Sequence, residues 1–158
     1  MIHHKRFNIA VYLGLFVAIV DQTSKWWVVH QALPPGNVRV VTSFLNLVLV
    51  ENRGVTFGLL SRLDPHITFY FLVGTALIIL ALLGRWLWRT GSTPVAIGLG
   101  LIIGGAVGNI IDRLRFGVVV DFLDFHFGQY HWYAFNVADS AIVTGVAILL
   151  LDSVIRGR

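Results

Sequence analysis

The sequence predicts an all-α membrane protein of four transmembrane helices, with a small extracytoplasmic β element and an interfacial aromatic segment. Three observations predict it. Of 158 residues, 56% are hydrophobic and only 13% are charged, with a mean hydropathy of +0.78; an average soluble domain carries roughly 25% charged residues. Four stretches, residues 7–28, 67–87, 94–111 and 136–155, come close to the roughly 20 apolar residues that cross a hydrocarbon core as a helix. Neither a polar linker nor a low-complexity stretch divides them, so residues 1–158 read as a single membrane domain.

The first span follows Lys5-Arg6 and has the look of a secretory signal, but no small-x-small cleavage site follows Val20 before Asp21-Gln22, so it is expected as a retained helix. In the connection after it, Val38-Arg39-Val40-Val41 and the run from Phe44 to Val50 are β-branched or apolar. They are bounded by Pro34-Pro35-Gly36-Asn37 and Asn52-Arg53-Gly54, the pattern of a small sheet or hairpin, with Gly54 and Gly58 loosening the chain beyond it. The third span carries Gly100, Gly104 and Gly108 at four-residue spacing, a small-residue face that admits a second helix closely. Residues 115–133 are aromatic but too polar to span, and are expected along the membrane interface.

Four spans put both termini on one side. Lys and Arg divide six against six between the two sides, but one set (5, 6, 85, 89, 156, 158) is packed into short segments while the other (25, 39, 53, 62, 113, 115) is spread over long ones. Basic density next to the spans therefore predicts cytoplasmic termini, with both long connections outside.

The net charge of +4 and pI near 10 do not signal nucleic acid, because the cations sit at segment ends and form no stripe that could follow a phosphate backbone. Without cysteine there is no disulfide, thiolate metal site or nucleophilic thiol. The six His residues show no HExxH or comparable spacing, so neither metal nor cofactor is expected.

Seven of eight acids (Asp21, Glu51, Asp64, Asp112, Asp121, Asp124, Asp139) fall in or beside the outer half of the membrane, and only Asp152 near the inner face. With six cations on each side, the net charge is −1 outside and +5 inside. A carboxylate near lipid is costly unless paired or protonated, so this cluster is the functional signal. Asp139 lies about one turn into the fourth span, with Asn136 three residues earlier on its face; a lesser role as a helix-terminal acid is the alternative. Asp121 has apolar neighbours and no cation within five residues. If the two meet in a low-dielectric site they cannot both ionise, and a shared proton serves an aspartyl peptidase: one carboxylate activates water while its protonated partner polarises the scissile carbonyl.

Asn109, Asp112 and Arg113 share a face at i, i+3, i+4, which favours a structural ion pair over catalysis for Asp112. Asp21 and Lys25 form an i, i+4 pair, either an interfacial anchor beside Trp26 and Trp27 or an aid to substrate orientation. Asp124 reads as an exposed loop acid. Serine chemistry is disfavoured: Ser24 and Lys25 project about 100° apart on a helix, and Ser140 has no His or Lys in its span.

These motifs, in this order, resemble the prokaryotic lipoprotein signal peptidases (signal peptidase II) over nearly the whole chain. Asp21-Gln22-Thr23-Ser24-Lys25 is similar to the family's first motif, Asn52-Arg53-Gly54-Val55-Thr56-Phe57-Gly58 to its second, and Gly108-Asn109-Ile110-Ile111-Asp112-Arg113 to its third. Gly117-Val118-Val119-Val120-Asp121-Phe122 and Phe135-Asn136-Val137-Ala138-Asp139 resemble the remaining two. The resemblance implies that Asp121 and Asp139 are the catalytic dyad, that Asn52, Gly54, Asn109, Arg113 and Asn136 line the substrate site, and that Asp21, Lys25 and Asp112 support it. It implies a cofactor-free aspartic endopeptidase of the bacterial cytoplasmic membrane, working as a monomer at the outer face. The implied partners are membrane lipid and prolipoproteins, cleaved before a diacylglyceryl-modified Cys. The residues alone leave two other classes in play, a small proton-conducting protein and a non-enzymatic scaffold. Against the first, the inner halves of the spans lack a continuing polar path; against the second, a scaffold does not account for the Asn/Asp clusters.

Overall fold

The computed structural model describes residues 2–33, 38–54 and 64–157. Among the described residues four helices are long and apolar enough to cross a membrane: α1 (Ile2–Trp27), α2 (Pro65–Arg89), α3 (Thr93–Phe116) and α4 (Val137–Arg156). Between and after them run β1 (Arg39–Val40), β2 (Leu45–Asn52), β3 (Val119–Phe127) and β4 (Tyr130–His131), which form one antiparallel sheet in the order β1-β2-β3-β4. The turn expected at 34–37, and residues 55–58 of the second motif with Gly58, lie outside the described residues.

The helix ends follow from local chemistry. Asp64 accepts from the main-chain N–H of His66 at 2.8 Å and starts α2 with Pro65 at its first position, where a missing N–H costs nothing. Ser92 starts α3 in the same way, and Gly117, at φ +75°, stops it in the left-handed region that only glycine enters freely. The first helix runs past its expected end as one π-helical turn, Val28–Ala32, closed by the Leu33 N–H on the Val28 carbonyl at 3.1 Å. Val28 and Leu33 are thereby buried against Phe122 of β3, which seats the sheet on the end of α1.

Helix α3 is the axis of the bundle. On one face Gly100 and Gly104 meet the backbone of Ala10 and Gly14 of α1; a Cβ at Gly104 would lie 2.5 Å from the Gly14 carbonyl oxygen. On the opposite side Gly98 and Gly105 meet Gly145 and Ala138 of α4. The glycine face expected from sequence thus packs α1, and a second one packs α4. Leu87, Val95, Ala96 and Leu99 bury the end of the bundle where the termini lie. Residues 115–133, expected as an interfacial segment, contribute β3: Val119 to Phe122 are buried, whereas Phe127, Tyr130, Trp132 and Tyr133 remain exposed.

Candidate active site

The polar cluster forms where α3 ends, α4 begins and β3 passes between them. Asp121 is held on β3, and the register of β2 against β3 decides what reaches it. Asn46 pairs with Asp124 and Leu47 with Leu123, but beyond a one-residue bulge Val50 pairs with Asp121 and Asn52 with Val119. Asp121 and Asp124 are three residues apart on a strand and so face opposite sides, whereas Asn46 and Asn52, six apart, would face the same side in a regular strand. The bulge flips the later residues. Asn46 can then donate to Asp124 at 3.0 Å on one face and Asn52 to Asp121 at 2.9 Å on the other. Gly54, at φ +78°, turns the chain so that its N–H donates to Asn52 Oδ1 at 2.8 Å, which fixes the orientation of that amide.

Asn136 joins the two carboxylates proposed from sequence. Its Nδ2 donates to Asp121 Oδ1 at 2.7 Å, its Oδ1 accepts from the Asp139 N–H at 2.9 Å, and its own N–H donates to Asp139 Oδ2 at 3.3 Å. The last two bonds are a capping box, so Asp139 occupies the first turn of α4 rather than a position deeper than a cap. Asn136 is brought to β3 because Phe135 is strand-bonded to it, its carbonyl accepting from the Leu123 N–H at 2.8 Å and its N–H donating to the Leu123 carbonyl at 3.0 Å. Asn109 of α3 closes the ring: its Nδ2 donates to Asp139 Oδ1 at 2.8 Å and its Oδ1 accepts from Asn136 Nδ2 at 3.2 Å.

Beneath this ring lies a buried ionic knot. Lys25 Nζ is 2.8 Å from both Asp21 Oδ2 and Asp112 Oδ2 and donates to Asn109 Oδ1 at 3.0 Å. Asp21 and Asp112 are 0% and 1% exposed and Lys25 3%, so the pair is interior and not an interfacial anchor. The cation expected for Asp112 was Arg113; the ion pair is with Lys25, while Arg113 donates to the Asn109 carbonyl at 3.3 Å, its charge felt by Asp139, Asp121 and Asp112. The knot also ties elements together, since Asp21 Oδ1 accepts from the Ala138 N–H of α4 at 2.9 Å and Asp112 Oδ2 from the Val120 N–H of β3 at 3.1 Å. Gln22, absent from the sequence-based site, donates to Asp112 at 2.8 Å and to the Gly108 carbonyl at 3.2 Å. A side-chain amide inside an apolar span was the signal for it, since such a group needs a partner there.

Asp121 is 1% exposed, Asp139 half-buried. Burial pushes the Asp121 carboxyl up to about 6; hydrogen bonds from Asn52 and Asn136 oppose the rise and the negative charge of Asp139 adds to it. Asp124, expected as an exposed loop acid, is 7% exposed within β3. Burial tends to raise it, but hydrogen bonds from Asn46 and His131, the latter at 2.9 Å, outweigh that and lower it. Ser24 Oγ donates to the Asp21 carbonyl and Ser140 Oγ to the Asn136 carbonyl, so both serve the backbone. Among the described residues no three His, Asp or Glu side chains converge as metal ligands.

Four apolar helices with a carboxylate and carboxamide cluster at one end define a polytopic membrane protein with a candidate active site at that end of the bundle. Comparison with known proteins gives the particular family. The model of the family described as Signal peptidase (SPase) II matches residues 13–155. The lipoprotein signal peptidase of Syntrophotalea carbinolica is 44% identical over 154 residues, covering 92% of this chain and 91% of that one. That of Methylobacterium sp. (strain 4-46) is also 44% identical, over 147 residues, covering 90% and 88%. A bacterial membrane enzyme solved by the in meso method at 2.3 Å superposes with a TM-score of 0.78 at 28% identity, covering 94% of this chain and 91% of that one. The chain belongs to the signal peptidase II family and is a membrane peptidase of lipoprotein processing.

Proposed function

We propose that the protein is an aspartic endopeptidase that removes signal peptides from prolipoproteins by cleaving before a diacylglyceryl-modified Cys, with Asp121 and Asp139 as the dyad. The observation that carries this reading is Asn136, one residue hydrogen-bonded to both carboxylates, one through its side chain and the other through its main chain. In the proposed reaction Asp121, the more deeply buried acid, holds the shared proton and polarises the scissile carbonyl. Asp139 accepts the proton of the attacking water and passes it to the leaving nitrogen as the C–N bond breaks. Two N–H donors, from Asn109 and Asn136, and the positive end of α4 face the Asp139 carboxylate. The knot of Asp21, Lys25 and Asp112 holds Asn109 and the first turn of α4 in register, while Asn52, Gly54 and Arg113 border the substrate.

Basic density favours cytoplasmic termini and a site at the outer leaflet, where a substrate can keep its acyl chains in lipid while its scissile bond reaches the carboxylates. Labelling cysteines introduced separately at Arg39 and Arg89 with an impermeant thiol reagent tests that orientation; labelling only at position 89 from outside would invert it.

The dyad is tested by Asp121→Asn and Asp139→Asn. Each is expected to abolish cleavage of a lipid-modified precursor while keeping the fold and precursor binding. Unchanged cleavage in either variant removes that residue from the reaction.

A further inference from the structure

At the end of the bundle opposite the carboxylates, a cavity of about 420 Å³ opens between α2, the start of α3 and the end of α4. Thr93 and Asn109 lie 16 residues apart on α3, about 24 Å at 1.5 Å per residue, so the cavity belongs to the other boundary of the membrane. Trp86, Val95 and Leu149 form its apolar side, and Thr90 and Ser153 form part of a polar side that Ser92, Asp152 and Arg156 complete. These three are mutually arranged. Ser92, 6% exposed, caps α3 and donates from Oγ to Asp152 Oδ1 at 3.4 Å, and Arg156 Nε donates to the same oxygen at 2.8 Å. The guanidinium is thus held by its Nε edge, with four of its five donors carried on the terminal nitrogens.

A second guanidinium stands at the same turn. Arg6 of α1 donates from Nε to Thr93 Oγ1 at 3.3 Å, and its Nη1 lies 3.8 Å from where a side chain at Gly91, a lining residue, would begin. Two arginines against one aspartate leave the site cationic, the positive end of α3 being offset by the negative ends of α2 and α4. Arg85 and Arg89 at the end of α2 add to that field. A basic peptide segment would be repelled here. A phosphodiester matches the charge and the planar donors, and the apolar walls at a bilayer boundary match the chains attached to it.

We propose that this cavity binds the headgroup of an anionic phospholipid of the leaflet on the termini side, its phosphate between Arg156 and Arg6 and its acyl chains along Trp86 and Leu149. The role of Asp152 is to orient Arg156. The site lies the length of the bundle from the carboxylates, so its occupancy is measurable without turnover.

The test is native mass spectrometry of the full chain released from micelles doped with equal phosphatidylglycerol and phosphatidylcholine. Wild type is expected to retain one phosphatidylglycerol in preference to phosphatidylcholine. Arg156→Gln and Arg6→Gln should each weaken that preference about fivefold, the effect of about one basic contact. Leu149→Trp, which fills the cavity without touching its charge, should abolish retention, and Arg39→Gln at the far sheet should leave it unchanged. Equal retention of the two lipids by wild type overturns the proposal. So does a preference that survives both Arg6→Gln and Leu149→Trp, two variants that leave the Asp152 to Arg156 pair intact and so guard against misfolding of Arg156→Gln. Displacement of the lipid by an added Lys-rich peptide that is itself retained would assign the cavity to a basic peptide and also refute it.

Discussion

Replacing Asp121 by Asn separates the charge of the buried carboxyl from its shape. Asp121 is 1% exposed and its carboxyl is pushed from 3.8 up to about 6, chiefly by burial. At 1.36 kcal/mol per pH unit that interval is worth about 3 kcal/mol. The sign follows from proton binding: between 3.8 and about 6 the folded protein holds a proton on this group that the unfolded chain has released, so its contribution is full below 3.8 and is lost as pH rises through 6. Asn carries no charge and escapes that loss. It has its own penalty, because Asn52 Nδ2 and Asn136 Nδ2 both donate to Asp121, and one of them would face an NH₂ group, which costs about 1–2 kcal/mol. The variant should therefore be less stable than wild type near pH 4 by about 1–2 kcal/mol and more stable at pH 7 by about 1–2 kcal/mol. In a chain of this size that is roughly 2–8 °C in Tm in each direction. Thermal unfolding in one detergent at pH 4, 5, 6 and 7 reads the difference, and groups that titrate alike in both proteins cancel. A wild-type to variant difference that does not change with pH would refute the argument that burial destabilises the ionised carboxyl.

The other expectations concern how the cluster is held. Lys25→Met leaves Asp21 and Asp112 buried without their shared cation and should cost about 3–5 kcal/mol, read as a fall in Tm accompanied by loss of cleavage. Asn136→Ser keeps an N-cap for α4 but removes the buried Nδ2 that donates to Asp121 at 2.7 Å and to the Val120 carbonyl at 3.3 Å; it should cost about 1–3 kcal/mol, while the alkaline limb of the pH–rate profile moves upward, since a bond that favours the Asp121 carboxylate is gone. Gly105→Ala would drive a Cβ into the Ala138 carbonyl and Ile142, displacing the first turn of α4, and should cost about 1–3 kcal/mol in unfolding free energy. Gly74→Ala, with nothing nearby, should instead stabilise by about 0.5–1 kcal/mol. Asp124 is held below its usual range, so its contribution is present above 3.8 and is lost as pH falls through its lowered value. The stability gap between wild type and Asp124→Asn should therefore narrow only in strong acid, as followed by Tm against pH.

The sequence by itself determined the membrane class and the four helices, and it singled out the two acids of the proposed dyad. Apolar length is a local property of consecutive residues and needs no partner to be read, and α2 and α4 begin and end within two residues of the expected spans. Asp121 and Asp139 stood out because an acid in apolar surroundings is costly wherever the chain folds. Tertiary structure alone decided which partner each polar group meets. Arg113 is adjacent to Asp112 in sequence, yet Lys25, 87 residues away, makes the ion pair, because Gly100, Gly104 and Gly108 let α1 lie against α3 at that level. Asp124 has no local feature to mark it as buried; pairing with β2 and His131 of β4 encloses it. The bulge between Leu47 and Val50 is likewise invisible locally, since strand register is a property of two chain segments and one residue of slip reverses which face each side chain takes. That reversal brings Asn52 to Asp121, a contact that arises only from the pairing of the two strands.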